Sequence, residues 1–181
     1  LSVVGYDNKS SKIKKLKKGI DENGEIKPQQ FKNAKFLNFT SKISILKNCN
    51  FFIITVPTPV DKKNKPDVKI LKNVTYLISK IIKPGSFVVY ESTVYPGTTE
   101  EICKVILEKN SGLTMNKDFY LGYSPERVNI SDKKHKLRNV TKVVSGSNKF
   151  ATNEIFKIYK KIIKKLFISK SIKVAEAAKI I

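Results

Sequence analysis

The sequence predicts an α/β protein built on a mostly parallel sheet, and three observations carry that prediction. Short apolar, β-branched runs alternate with segments of helical period along most of the chain. The run Phe51-Phe-Ile-Ile-Thr-Val56 is nearly continuous in apolar residues, the pattern of a strand buried on both faces. Polar clusters at Asp7, Thr58, Glu91 to Thr93 and Ser124 to Arg127 each follow such a run. In an open α/β sheet that places them together at the carboxyl ends of the strands, where ligands bind.

Leu1 to Tyr6 reads as the first strand, closed by Asp7, and Ser10 or Ser11 opens a helix with Ile13 and Leu16 inward that stops near Gly19. Residues 21 to 40 are polar and irregular, with a short helix expected at Pro28 to Asn33, followed by a helical turn over Ser41 to Lys47. The strand at Phe51 to Val56 is stopped by Pro57-Thr-Pro59, because proline has no N–H for a sheet and fixes its own φ. Val68 to Ile82 repeats apolar residues at helical spacing and ends at Pro84-Gly85.

Phe87 to Tyr90 is the next strand, then a turn at Pro96-Gly97, then a helix capped by Thr98 or Thr99 with Glu100 and Glu101 in its first turn. Phe119 to Tyr123 forms another strand that runs into Ser124-Pro-Glu-Arg-Val128. A loop over Asn129 to Asn139 leads to a strand at Val140 to Ser145. The helix expected from about Thr152 to Leu166 places Ile155, Ile158, Ile162 and Leu166 on one face, and Lys173 to Ile181 starts a further helix.

With 40% hydrophobic and 28% charged residues in 181, the composition suits one soluble domain. No apolar run approaches the roughly 20 residues that span a bilayer. The opening residues read as a strand rather than a signal peptide, so the expectation is a cytoplasmic protein without a membrane partner. Cys49 and Cys103 stand singly, without metal-type spacing.

A formal charge of +21 raises nucleic acid as a partner. Against it, only Arg127 and Arg138 supply guanidinium groups, and the lysines are spread over many segments instead of forming one stripe. The expectation is therefore no nucleic acid. A basic nucleic-acid-binding module and an inactive nucleotide-binding fragment remain the alternatives.

Five segments together carry more than any one: Val3-Val-Gly-Tyr-Asp7, Thr55-Val-Pro-Thr-Pro59, Glu91-Ser-Thr-Val-Tyr-Pro-Gly-Thr-Thr-Glu100, Gly122-Tyr-Ser-Pro-Glu-Arg127 and Lys173-Val-Ala-Glu-Ala-Ala-Lys179. In this order they resemble the UDP-glucose/GDP-mannose dehydrogenase family, the nucleotide-sugar 6-dehydrogenases. The wording is nearest to the branch that oxidises UDP-N-acetylhexosamines for surface polysaccharides.

The resemblance implies a doubly wound, mostly parallel Rossmann-type sheet lacking its first strand, followed by the start of a long central helix. Residues 1–170 would be the NAD-binding domain and residues 171–181 the beginning of a helix through which a homodimer forms. It further implies that a UDP-sugar is oxidised at C6 from alcohol to carboxylate, with NAD used twice and the aldehyde held as a thiohemiacetal on a cysteine. Neither Cys49 nor Cys103 stands in that cysteine's context.

The resemblance also assigns roles. Asp7 would hold the adenosine ribose with Lys12 nearby, and Thr58 and Ser92 would line the cofactor path. Thr93 and Glu126 match family site residues, Glu126 as general base through water, with Arg127 beside it toward the substrate. Lys179 matches the lysine that steadies the oxyanion. One departure is Asn129-Ile-Ser-Asp132, where the family usually reads Asn-Pro-Gly-Asp.

The resemblance places a strand and a glycine-rich turn ahead of Leu1. Counted in the doubly wound order, that strand would lie between Leu1–Tyr6 and Phe87–Tyr90, leaving those two as open edges and the 181 residues alone a poor folding unit without activity.

Overall fold

The computed structural model describes residues 1–60, 66–125 and 141–180. The chain divides into two compact units, Leu1–Asn48 and Cys49–Ile181.

In the first unit, β1 (Val3–Tyr6) pairs in parallel with β2 (Leu37–Thr40), Val3 opposite Leu37 and Tyr6 opposite Thr40. Between them lie α1 (Ser10–Lys17), which buries Ile13, and α2 (Pro28–Asn33), with proline at its start where a missing N–H costs nothing. Gly19 follows α1 at φ +73°, a left-handed conformation that a side chain would strain. The short strand β2 was not expected from its residues. Leu37-Asn-Phe-Thr carries too little apolar sequence to announce itself, and its identity comes from pairing with β1.

The second unit holds five strands in the order β3-β4-β5-β6-β7. These are β3 (Phe51–Ile54), β4 (Ser86–Tyr90), β5 (Phe119–Tyr123), β6 (Lys142–Gly146) and β7 (Leu166–Ile168). All neighbours are parallel except β5 and β6, which run antiparallel with Gly122 opposite Gly146. The helices are α3 (Lys69–Ser79), α4 (Lys104–Ser111), α5 (Lys149–Lys160) and α6 (Ile172–Ile180). Tyr159 and Ile163 join Ile155, Val89 and Val144 in a buried cluster under the sheet.

Five sequence expectations are corrected here. Phe87–Tyr90 is not an open edge, because β4 lies between β3 and β5. The edge strands of this sheet are β3 and β7, and on β3 Ile53 is 45% exposed, so the strand is not buried on both faces. The long helix expected to reach Leu166 ends at Lys160, and Leu166 begins β7. Its inward face is Ala151, Ile155 and Tyr159, so the apolar stripe is rotated from the expected one, and Ile162 is exposed. Finally, neither Thr98 nor Thr99 caps the helix after Gly97. The Thr98 hydroxyl donates to Tyr95 O, and the chain passes through a π-helical turn, Thr98–Cys103, before α4.

Candidate functional site

At the end of β1, Asp7 accepts the Lys9 N–H at 2.9 Å and the Lys12 ammonium at 2.8 Å. Burial opposes its ionisation, but Lys12 and the Lys9 N–H outweigh it and hold the carboxyl below the usual 3.8. Asp7 is thus a negative, acceptor-only group, a quarter exposed, at the carboxyl end of a parallel strand. Asp7 and Lys12 come together as their sequence positions suggested.

In the second unit the parallel strands β3, β4 and β5 deliver three polar segments to one edge of the sheet. Backbone bonds continue past the strands: the Glu91 N–H donates to Ile54 O and the Ser124 N–H to Tyr90 O, both at 2.9 Å. The Ser92 hydroxyl donates to Val56 O at 2.6 Å, and the Tyr123 phenol donates to Ser92 O at 3.0 Å. Ser92 is therefore buried and committed to joining the ends of β3 and β4, whereas Thr93 beside it is exposed. Thr58 carries a buried hydroxyl without a hydrogen-bond partner among the described residues.

Lys179 lies near the end of α6 and is partly exposed. Glu176, one turn earlier, is buried and accepts the N–H groups of Gly97 at 2.6 Å and Thr99 at 2.9 Å. That bond fixes α6 to the loop that continues from Thr93. Glu126 and Arg127 lie outside the described residues.

Reading the sequence alone missed three residues that build this edge. Glu91 was picked out as a site candidate, but it is buried, 3.1 Å from the ammonium of Lys142, and accepts the Tyr159 phenol. Lys142 is one of many lysines, and nothing in its neighbourhood marks it as the buried one. Tyr159 was legible in principle, four residues after Ile155 and four before Ile163 on one helical face. Glu176 sits inside an Ala-rich helix, where a glutamate usually faces water.

Among the described residues no group of three or more His, Cys, Asp or Glu side chains could hold a metal ion. None of the described helices is long and apolar enough to cross a membrane. Burial pushes the Cys103 thiol up to about 11, so it stays a neutral packing residue.

Residues 1–163 match the model of the UDP-glucose/GDP-mannose dehydrogenase family, NAD binding domain. The chain is 48% identical over 180 residues to UDP-N-acetyl-D-glucosamine 6-dehydrogenase of Salmonella typhi, covering 99% of this chain and 42% of that protein. It is 46% identical to the enzyme of the same name from Pseudomonas aeruginosa, over 99% of this chain and 43% of that one. Among solved structures, UDP-D-ManNAc dehydrogenase from Pyrococcus horikoshii superposes with a TM-score of 0.89 at 32% identity, over 98% of this chain and 43% of that one. The chain thus spans less than half the length of the relatives it matches.

Proposed function

The chain belongs to the UDP-glucose/GDP-mannose dehydrogenase family, and from that premise we propose that it is the NAD-binding part of a UDP-N-acetylhexosamine 6-dehydrogenase. The observation that carries the substrate class is the 48% identity, along nearly the whole chain, to the Salmonella typhi enzyme named for UDP-N-acetyl-D-glucosamine. In this reading residues 1–170 form the cofactor domain and residues 171–181 begin the helix that pairs two copies. The protein works in the cytoplasm, where nucleotide sugars are made.

The residues present fit NAD. An ionised Asp7 offers carboxylate oxygens to the two hydroxyls of a ribose, and Lys12 keeps it ionised. The buried, unpartnered hydroxyl of Thr58 can bond a cofactor group that reaches the end of β3. Ser92 serves the same path by holding its wall in place. When bound, NAD accepts the hydride leaving C6.

The remaining chemistry belongs to the chain. Glu126 takes the proton of the C6 hydroxyl through a water, and Arg127, the next residue in sequence, contributes to binding the substrate. Lys179 places positive charge where oxygen becomes negative, and the Thr93 hydroxyl hydrogen-bonds the reacting group. Glu176 supports Lys179 by anchoring α6 to the Gly97 loop.

The test is to incubate the protein, at the full length of its relatives, with UDP-N-acetylglucosamine or UDP-N-acetylgalactosamine and NAD. Oxidation of an alcohol to a carboxylate releases two hydrides, so about two NADH form per sugar consumed. No NADH with any UDP-sugar would remove the proposal.

A further inference from the structure

The strand β6 runs antiparallel to β5 and so against the direction of β3, β4 and β5, and this reversal has a chemical result. The first residue of a parallel strand lies at the amino edge of a sheet, away from the ligand. Because β6 is antiparallel to β5, its first residue, Lys142, lies at the carboxyl edge, among the polar ends of β4 and β5. There Lys142 and Glu91 are only 5% and 9% exposed, with ammonium and carboxylate 3.1 Å apart.

The Lys142 ammonium also points at two backbone carbonyls, Pro125 O at 3.3 Å and Ser124 O at 3.5 Å. Tyr159 completes the group, its phenol donating to Glu91 and its ring 5.6 Å from the ammonium. One buried cation therefore joins two loops. Glu91 is two residues before Thr93, and Pro125 is the residue before Glu126.

We infer that Lys142 is a positioning residue, holding the segment that leads from Glu91 to Thr93 and the Ser124–Pro125 segment, which precedes Glu126 in sequence, at a fixed separation through Glu91 and the Ser124 and Pro125 carbonyls. The inference rests on the roles proposed above for Thr93 and Glu126. A buried ion pair is weak evidence for a stabilising role, since well-packed neutral residues often hold a fold as well. Its geometric consequence is different: an ammonium has three donors, and here at least three acceptors from two separate loops converge on it. A neutral side chain of the same length fills the space without gathering those acceptors.

The experiment must separate positioning from stability. Lys142→Met alone leaves the Glu91 carboxylate buried without its cation, and that variant can fail to fold. The double variant E91Q/K142M removes both charges together and keeps an acceptor for the Tyr159 phenol. In the full-length protein we expect E91Q/K142M to melt close to the parent and keep KM for NAD within about twofold, while kcat falls about tenfold or more.

Backbone amide exchange supplies a readout that needs no turnover. The segments 91–94 and 122–125 should exchange about tenfold faster in the double variant, with the middle of β5 and α5 unchanged. Parent-like exchange in either segment overturns the inference, as does a parent-like kcat. If the parent itself forms no NADH, the proposed reaction fails while the exchange measurement still decides whether Lys142 tethers the two loops.

Discussion

Glu176 and Gly97, 79 residues apart, are joined by a 2.6 Å bond from the Gly97 N–H to the buried Glu176 carboxylate. The Thr99 N–H donates to the other carboxylate oxygen at 2.9 Å. These N–H groups belong to the first turn of the helix after Gly97, where no intrahelical acceptor exists, and the nearby threonine hydroxyls do not supply one. A carboxylate from α6 does so across the fold.

Replacing Glu176 by Gln leaves one oxygen where two are used, so an N–H faces an amide NH₂; the cost is about 1–3 kcal/mol. There is also a pH signature. Burial pushes the Glu176 carboxyl above its ordinary 4.5, against the pull of the two N–H groups. The folded state therefore holds more protons than the unfolded state just above pH 4.5, and this contribution to stability is lost as pH rises through the folded-state value. The difference in unfolding free energy between wild type and Glu176→Gln, measured by denaturant titration, should fall with rising pH across that window. A flat difference would show that Glu176 is not perturbed.

Gly122 and Gly146 face each other across β5 and β6, and they should respond differently to alanine. A Cβ at Gly146 would lie 2.4 Å from Thr152 N and 2.7 Å from Ala151 C, backbone atoms at the start of α5 that cannot move alone. A Cβ at Gly122 would meet the Ile155 Cδ1 at 2.3 Å, the tip of a side chain that can rotate, and Ser145 O at 2.9 Å. Gly146→Ala should cost about 3 kcal/mol and Gly122→Ala about 1–2 kcal/mol, read from the denaturant midpoint. Equal losses would contradict the distinction between backbone and side-chain crowding.

Asp7→Ala should raise KM for NAD about tenfold and leave kcat within about twofold, because the role proposed for it is to hold the cofactor's ribose, away from the reacting carbon. Lys12→Ala should do much less. The carboxyl is held below 3.8, so the stability that Asp7 contributes is complete above its unfolded value and is lost as pH falls through the lower folded one. Acid titrations of wild type and Asp7→Asn should therefore diverge at neutral pH and converge at low pH.

Glu126→Gln and Lys179→Ala in the full-length protein should each lower kcat about a hundredfold or more, with thermal transitions near that of wild type. The comparison of rate and stability in the same samples is the check. Wild-type turnover in either variant would remove that residue from the chemistry.

Most strands and helices were legible because each is a run of residues whose own spacing names it. Phe119–Tyr123 and Pro28–Asn33 were read to the residue, and α3 within three of each end. β2 and β7 were not. Leu37-Asn-Phe-Thr is half polar, and Leu166 continues the helical spacing of Ile158 and Ile162, so only a neighbouring strand makes either segment extended. Missing β2 shifted the strand count by one, which is why the open edge was assigned to Phe87–Tyr90 instead of Phe51–Ile54.

The sequence by itself determined the fold class, the family, and the placing of Asp7, Thr58, Ser92 and Thr93 after strands, since these depend on local order along the chain. Which strand is an edge, which helix face points inward, and which charges are buried were decided only in three dimensions. A lysine has the same local sequence preferences whether it faces water or Glu91. Lys142 is buried because β6 reverses direction and brings its first residue to the carboxyl ends of β4 and β5, where Glu91 and two backbone carbonyls replace the water it has lost.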